Sequence, residues 1–273
     1  MSDKISLAGD LGSGKSTVSD ILVEVLGAEY YSTGRIVRSI AEKMGMTVVE
    51  LNHYMESHPE IDNEIDDGLV RLSDDERLLI IDSRMAWHFT KGTFKVYLST
   101  DIETSALRIM GANRQGEHNS TLEDTIASTR ARRLSEQKRY MEQYGVDIKN
   151  LMNYSLVVDT TVATPEEVAG VIISAYREWQ KNKERRFLYV SPERLNIFDD
   201  EPNADKLSEY TDLLDRGETI PTVKVCERDG DFYLREGLEE ALAYTLGMYT
   251  FIPAELVEYG GDDREFVRIK NSL

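Results

Sequence analysis

Apolar and polar positions change rhythm repeatedly along the first two-thirds of the chain, and the changes read as strands alternating with helices. Lys4-Ile5-Ser6-Leu7-Ala8 predicts a short buried strand, and Val18, Ile21, Leu22, Val25 and Leu26 then recur at helical spacing. Glu29-Tyr30-Tyr31-Ser32 predicts a second short strand, and Arg35 to about Lys43 is helical by period. Thr47-Val48-Val49-Glu50 has capping-box spacing and opens another helix; Pro59 opens a third, running roughly to Leu72. Leu78-Leu79-Ile80-Ile81-Asp82 is an apolar run ending in a carboxylate, which suits a central parallel strand. Phe94 to Leu98 predicts a strand, and a helix follows from about Asp101 to Met110. A polar stretch from Gly111 to Ser120 interrupts the pattern. Ser120-Thr121-Leu122-Glu123 then repeats the capping-box spacing ahead of a long charged helix to about Tyr144. Leu156-Val157-Val158-Asp159 is the last strand of this region, and Pro165 starts a closing helix through about Trp179. Strands linked by helices predict an α/β fold: a parallel sheet with helices on both faces.

Lys181 to Arg186 is polar without apolar period and reads as a helix end plus linker, dividing the chain into units at 1–183 and 187–273. The second unit predicts a compact α+β domain. Phe187 to Val190 is a strand candidate, and Asp205 to Arg216 a helix. Pro221 to Cys226 and Asp231 to Leu234 flank Arg228-Asp229-Gly230, a hairpin signal. Glu239 to Leu246 is a short helix ended by Gly247, and Phe251 to Val257 a final strand.

Gly9-Asp10-Leu11-Gly12-Ser13-Gly14-Lys15-Ser16-Thr17 sits between the first strand and first helix and fits G-x-x-x-x-G-K-[ST], the P-loop pattern. Glycines let the backbone curl so that its N–H groups converge on an anion, and the helix N-terminus adds unpaired donors. Lys15 would reach the β- and γ-phosphates, and Ser16 would place its hydroxyl on Mg²⁺.

Charge sharpens this picture. The 273 residues carry a formal net charge of −18, which disfavours nucleic acid and anionic membranes as partners. From Arg186 onward there are 20 acidic and 10 basic residues, whereas the basic residues of the first unit bunch between Arg108 and Arg139. No run of eighteen apolar residues predicts a membrane span, and the N-terminus runs straight into a strand, so no signal peptide is expected. Cys226 is the single cysteine, so a reducing, cytoplasmic setting is the simplest expectation.

Arginines surround the edge where open α/β sheets bind ligands. Ser32-Thr33-Gly34 makes a small-residue turn, with Arg38 one turn into the next helix, able to face an anion across the cleft. Asp82 and Arg84 close the central strand; Asp82 would order Mg²⁺ waters or the acceptor, and Arg84 would bind a phosphate or base. Arg132 and Arg139 are seven apart and share a helix face, while Arg130 and Arg133 fit a solvated face equally well. Arg114 lies in the polar interruption, where a mobile flap would bring it inward. Such a closing lid supplies positive charge and excludes water, as phosphoryl transfer requires.

On these segments residues 1 to about 178 resemble the cytidylate kinase-like branch of the nucleoside monophosphate kinases. The resemblance rests on the P-loop, Ser32-Thr33-Gly34 with Arg38, Pro59-Glu60-Ile61-Asp62 through Ile65-Asp66, and Asp82-Ser83-Arg84-Met85-Ala86-Trp87. Ser135-Glu136 with Arg139-Tyr140, Tyr144-Gly145-Val146-Asp147 and Val158-Asp159-Thr160 extend it. It implies a five-stranded parallel sheet, a helical insert for the nucleoside monophosphate, a lid, and transfer of the γ-phosphoryl of ATP with Mg²⁺. In that reading Gly9, Gly12, Ser13, Gly14, Lys15, Ser16 and Thr17 hold ATP, and Ser16 and Asp82 the metal. Ser32, Gly34, Arg38, Asp66, Asp82, Arg84 and Arg139 hold the acceptor, CMP or dCMP, while Lys15, Arg114, Arg132 and Arg139 stabilise transfer. Ser83, Arg132-Arg133, Ser155 and Arg35 depart from the family pattern and bear on the acceptor's identity.

The second unit is similar to the ParB-like/sulfiredoxin-like fold at Val190-Ser191-Pro192, Ile220 to Val223, Phe232 to Gly237, Ala241 to Gly247 and Ile252-Pro253-Ala254. Leu238-Glu239-Glu240 stands where that family holds phosphate with His or Arg. The unit is therefore expected to be a non-catalytic module, for a protein partner, a homodimer or sensing. Alternatives remain open here: a kinase for another small metabolite, or a nucleotide-controlled switch.

Overall fold

The structure, a computed structural model, describes residues 4–55, 57–112, 121–258, 260 and 266–269. The first region runs β1 (Lys4–Gly9), α1 (Lys15–Leu26), β2 (Glu29–Ser32), α2 (Thr33–Met44), α3 (Val48–Met55), α4 (Pro59–Arg71) and β3 (Leu79–Asp82). It continues through α5 (Ala86–Phe89), β4 (Thr93–Ser99), α6 (Ile102–Gly111), α7 (Leu122–Tyr144), β5 (Leu156–Asp159) and α8 (Pro165–Lys181). Strands β2, β3, β1, β4 and β5 lie side by side in that order, every pairing parallel, as the alternating pattern predicts. The side chains of β1 alternate between faces: Ile5 and Leu7 pack with α1 and α8 through Val18, Leu22, Val168 and Ile172, and Ala8 packs on the other side with Trp87 and Tyr154. Helices α2, α3 and α4 form a lobe with its own small core of Ala41, Leu51, Met55 and Ile65.

Local signals set the helix ends. Thr47 and Glu50 exchange the two bonds of a capping box (2.7 and 3.1 Å), and Thr164 with Glu167 does the same for α8. At α7 the cap is displaced by one residue from the predicted box: Thr121 accepts from the Asp124 N–H at 3.1 Å. Ser120 lies outside the described residues.

The second region contributes β6 (Phe187–Val190), β7 (Leu195–Phe198), α9 (Ala204–Asp215), β8 (Val223–Arg228), β9 (Asp231–Glu236), α10 (Leu238–Leu246), β10 (Ile252–Leu256) and β11 (Phe266–Arg268). The β8–β9 turn has Asp229 at φ 55° and Gly230 at φ 89°, the double left-handed geometry that suits a two-residue hairpin. Strand β6 pairs in parallel with β5, so the sheet passes without a break from one region into the other and reaches eleven strands. One apolar cluster likewise runs through both regions, from Leu79 and Ile81 to Val190, Val223 and Phe232. The polar linker therefore joins α8 to β6, the next strand of the same sheet.

Candidate active site

The P-loop begins where β1 ends. Gly9 has φ 144°, and a Cβ there would lie 2.3 Å from the Leu98 carbonyl oxygen of β4. Gly12, at φ 71°, would bring a Cβ to 2.6 Å from the Ser105 carbonyl oxygen of α6. The loop is thus clamped against backbone on both sides, and only glycine fits either point. Gly14, with φ 83°, starts α1, whose first turn has neither a side-chain cap nor an acidic residue. Its leading N–H groups are left to an anion. Ser13 steadies the loop by donating to the Asp10 carbonyl at 2.8 Å, and Ser16 and Thr17 are exposed at the helix start.

Two cations converge on one backbone oxygen. Lys15 Nζ donates to the carbonyls of Gly9 (3.1 Å) and Asp10 (2.7 Å), and Arg84 Nη1 donates to Gly9 at 2.9 Å. Burial, reinforced by the Arg84 charge, pulls the Lys15 ammonium down to about 7 against the opposing pull of Asp82, Asp10 and Glu136. Arg84 is held by Glu136 of α7, Nε to Oε2 at 2.7 Å, and the other Glu136 oxygen accepts from Arg132 at 3.1 Å. Burial alone would raise the Glu136 carboxyl; the charges of Arg84 and Arg132 bring it down to about 2. Glu136 thereby joins Arg132 to Arg84, which itself contacts the P-loop at the Gly9 carbonyl.

Asp10 anchors a second group. Its carboxylate accepts from the Thr100 N–H (3.1 Å), the Tyr97 hydroxyl (2.9 Å) and Lys149 Nζ, with Arg133 Nε 3.8 Å away. Burial would raise this carboxyl, but Lys149 and Arg133 hold it well below the usual range. A cavity of about 20 Å³ lies among Asp10, Arg84, Arg133, Glu136 and Lys149, room for one water. Arg133, for which spacing left a solvated face and a site role equally open, lies against the loop, with Nη2 3.5 Å from the Leu11 carbonyl.

A third group lies between α4 and α7. Arg139 Nε is 3.8 Å from Asp62 Oδ2, both buried and neither atom hydrogen-bonded, and Tyr144 donates to Asp66. Burial, helped by the Asp62 charge, pushes the Asp66 carboxyl up to about 6, although Tyr144 and Arg139 pull the other way. Arg139 therefore sits with Asp62 and Asp66, and its charge also acts on Glu136 of the Arg84–Glu136–Arg132 group. Ser32 caps α2 by accepting from the Arg35 N–H at 3.4 Å. Arg38 is exposed and its guanidinium lies over Gly34. No hydrogen bond or ion pair among the described residues joins Arg38 to the other groups. Arg114 lies outside the described residues.

A divalent cation can be tested against the donors present. Asp82 Oδ2 accepts from the Tyr30 hydroxyl at 3.0 Å, which orients the carboxylate at the end of β3. With the Ser16 hydroxyl this makes a small set of hard oxygen donors. Among the described residues no group of three or more His, Cys, Asp or Glu side chains could hold a metal. One carboxylate, one hydroxyl, phosphates and water match the way Mg²⁺ is bound beside nucleotides, so the residues fit. Among the described residues no helix is long and apolar enough to cross a membrane.

Sequence alone could not find Asp10, Arg133 and Lys149 as a unit, because Lys149 meets Asp10 across 139 positions. The Arg132–Glu136 pair was visible as an i,i+4 spacing. Its capture of Arg84, 52 positions away, was not.

An AAA-domain family model, AAA_18, matches residues 5–139. The chain is 39% identical over 182 residues to the S-adenosylmethionine-dependent nucleotide dehydratase of Lacinutrix mariniflava, a match covering 65% of this chain but 37% of that protein. It is 34% identical over 184 residues to the cytidylate kinase of Thermoplasma volcanium, covering 66% of this chain and 94% of that protein. A cytidylate kinase of Archaeoglobus fulgidus is likewise 34% identical, over 63% of this chain and 93% of its own length. Among solved structures, the shikimate kinase of Acinetobacter baumannii in complex with shikimate aligns with 65% of this chain and 94% of its own, at 19% identity and a TM-score of 0.42.

Proposed function

This chain belongs to the cytidylate kinase family of P-loop kinases, and on that premise we propose that it transfers the γ-phosphoryl group of ATP to a nucleoside monophosphate, foremost CMP or dCMP. The observation that carries this reading is the meeting of Lys15 and Arg84 on the Gly9 carbonyl. Both cations donate to this one backbone oxygen, and the Lys15 charge is disfavoured there. A bound phosphate reverses that, giving both a multiply charged partner.

The donor phosphates would lie along Gly12 to Thr17. Mg²⁺ would be held by Ser16 and Asp82, supplying charge neutralisation between the phosphates. Arg38, Arg84 and Arg139 would hold the acceptor phosphate, with Ser32 and Gly34 shaping the approach. Lys15 and Arg132, together with Arg114, would meet the charge spread over the transferring group. A monophosphate is already anionic near neutral pH, so no general base is required. The second unit, 187–273, would serve a protein partner, a second copy or sensing beside the kinase unit, 1–183.

An ADP-release assay over a panel of monophosphates and small hydroxylated metabolites tests the reading. Turnover with CMP or dCMP is expected. Turnover only on another acceptor would reassign the substrate, and ATP binding without any turnover would favour a switch.

Asp66 gives the acceptor site a pH signature. Its folded pKa is raised to about 6, so the carboxylate able to accept from a base amino group forms only as pH rises through that value. The KM for CMP should fall between about pH 5 and 7 in the wild type. Part of that fall belongs to the phosphate of CMP itself, and the Asp66→Asn variant isolates it. Superimposable KM profiles for the two proteins would remove Asp66 from the acceptor site.

A further inference from the structure

A buried arginine of the second unit reaches into the nucleotide edge of the first. Arg194, just after β6, is 3% exposed, and its Nη1 lies 3.1 Å from Asp159 Oδ1, fully buried at the end of β5. The same nitrogen donates to Ser99 Oγ, at the end of β4, at 2.8 Å. Its Nη2 donates to the Gly230 carbonyl at the tip of the β8–β9 hairpin, and the Arg194 carbonyl accepts from Arg268 at 2.7 Å. Asp159 also accepts from the Ser191 N–H at 3.1 Å, so the connection after β6 grips this carboxylate twice.

What Asp159 and Ser99 hold in turn is the back of the P-loop. Asp159 accepts from the Thr161 N–H (3.1 Å) and hydroxyl (2.6 Å), fixing the turn that follows β5. Ser99 offers its carbonyl to the Thr160 N–H at 2.8 Å. The Thr160 hydroxyl is 3.1 Å from the Ser13 carbonyl, and Arg108 bridges the Thr160 carbonyl (2.7 Å) and the Gly12 carbonyl (3.4 Å). The path from Arg194 to Ser13 is made of short polar contacts between mostly buried groups, whose directionality fixes position. The acceptor candidates lie on the β3 and α4 side. In-line transfer then sends the donor nucleoside the other way, past this turn.

We propose that Arg194, outside the part of the chain aligned with the kinases, is a positioning residue for the donor nucleotide: through Asp159 and Ser99 it sets the 159–161 turn that braces Gly12 and Ser13. The second unit thus completes the donor site. This rests on the kinase reading for the identity of the donor, ATP, but not for that of the acceptor.

The test is calorimetric titration of the full chain with ATP, alongside the KM for the monophosphate the panel selects. In Arg194→Lys, which keeps the charge but loses the guanidinium fork, ATP should bind about tenfold more weakly, the scale of one charge-assisted hydrogen bond. The acceptor KM should change by less than about twofold on that same scale. Ser99→Ala, which leaves the Arg194–Asp159 pair in place, should weaken ATP in the same direction by less, and carries the test should Arg194→Lys not fold. Unchanged ATP affinity in the folded variants overturns the proposal. So does a parallel loss for donor and acceptor with a falling melting temperature, the mark of a purely structural pair. A wild type that binds ATP but phosphorylates none of the panel leaves this titration intact and overturns only the acceptor reading. A wild type that binds no ATP overturns both.

Discussion

Replacing Lys15 with alanine is expected to lower turnover by about a thousandfold or more, the scale of removing a preorganised charge from a phosphoryl-transfer site. The fold should survive. Lys15 Nζ donates to the backbone carbonyls of Gly9 and Asp10 and forms no ion pair within 4 Å with a described carboxylate, so its loss strands no buried anion. Removing it also relieves the repulsion from Arg84 that helps to hold its pKa near 7. The melting temperature should therefore stay level or rise slightly.

The depressed pKa adds a signed consequence. Burial and the Arg84 charge pull the Lys15 ammonium from its ordinary 10.5 down to about 7. A bound phosphate favours the ammonium and raises the pKa, so binding at pH 8 takes up a proton whereas binding at pH 6 does not. ATP affinity should then fall as pH rises from 7 to 9. Calorimetry in buffers of different ionisation enthalpy reads the uptake directly, and Lys15→Ala should abolish it. Undiminished turnover in the variant, or equal proton uptake in both proteins, would be incompatible with Lys15 as the phosphate cation.

Arg84→Met carries the second large effect, on stability and turnover together. Arg84 supplies the Glu136 ion pair at 2.7 Å and the bond to Gly9 at 2.9 Å. Its removal leaves Glu136 with Arg132 at 3.1 Å as its remaining ion-pair partner. Breaking a largely buried pair from one side costs about 3 kcal/mol or somewhat more. The direction with pH follows from Glu136. Its folded pKa, about 2, lies below its ordinary 4.5, so the stabilisation is complete above pH 4.5 and is lost as pH falls toward 2. The stability gap between wild type and Arg84→Met should accordingly be wide at pH 7 and narrower near pH 3 in urea titrations. A gap independent of pH would mean that Glu136 is not its source. Turnover should fall about a hundredfold, since both Arg84 and the Arg132 that Glu136 steers are disturbed.

Much of the kinase region was legible because its signals are local. The P-loop pattern, Pro59, Pro165, the Thr47 capping box and the apolar run ending at Asp82 each act over a few residues, where chemistry and period decide structure. Strand β7 was not legible. Leu195-Asn196-Ile197-Phe198 has no clear alternation, and Asn196 is buried because its side chain donates to the Phe232 carbonyl at 2.9 Å, 36 positions away. The P-loop end of the site was readable as an anion cradle. The partners of its arginines were not, since Arg84 with Glu136, Arg139 with Asp62 and Arg133 with Asp10 each join distant segments.

By itself the sequence determined the cradle: glycines at 9, 12 and 14, a lysine and a hydroxyl in register with a helix start, and cations along one later helix. Those follow from backbone freedom and helical spacing, which need no distant partner. Tertiary structure alone decided which cations meet the loop, and that β5 is continued by β6. Both depend on edge pairing and buried charge compensation, free energies that exist only once remote segments are in contact. For that reason Arg194, unremarkable in the sequence, stands behind Ser13 in the fold.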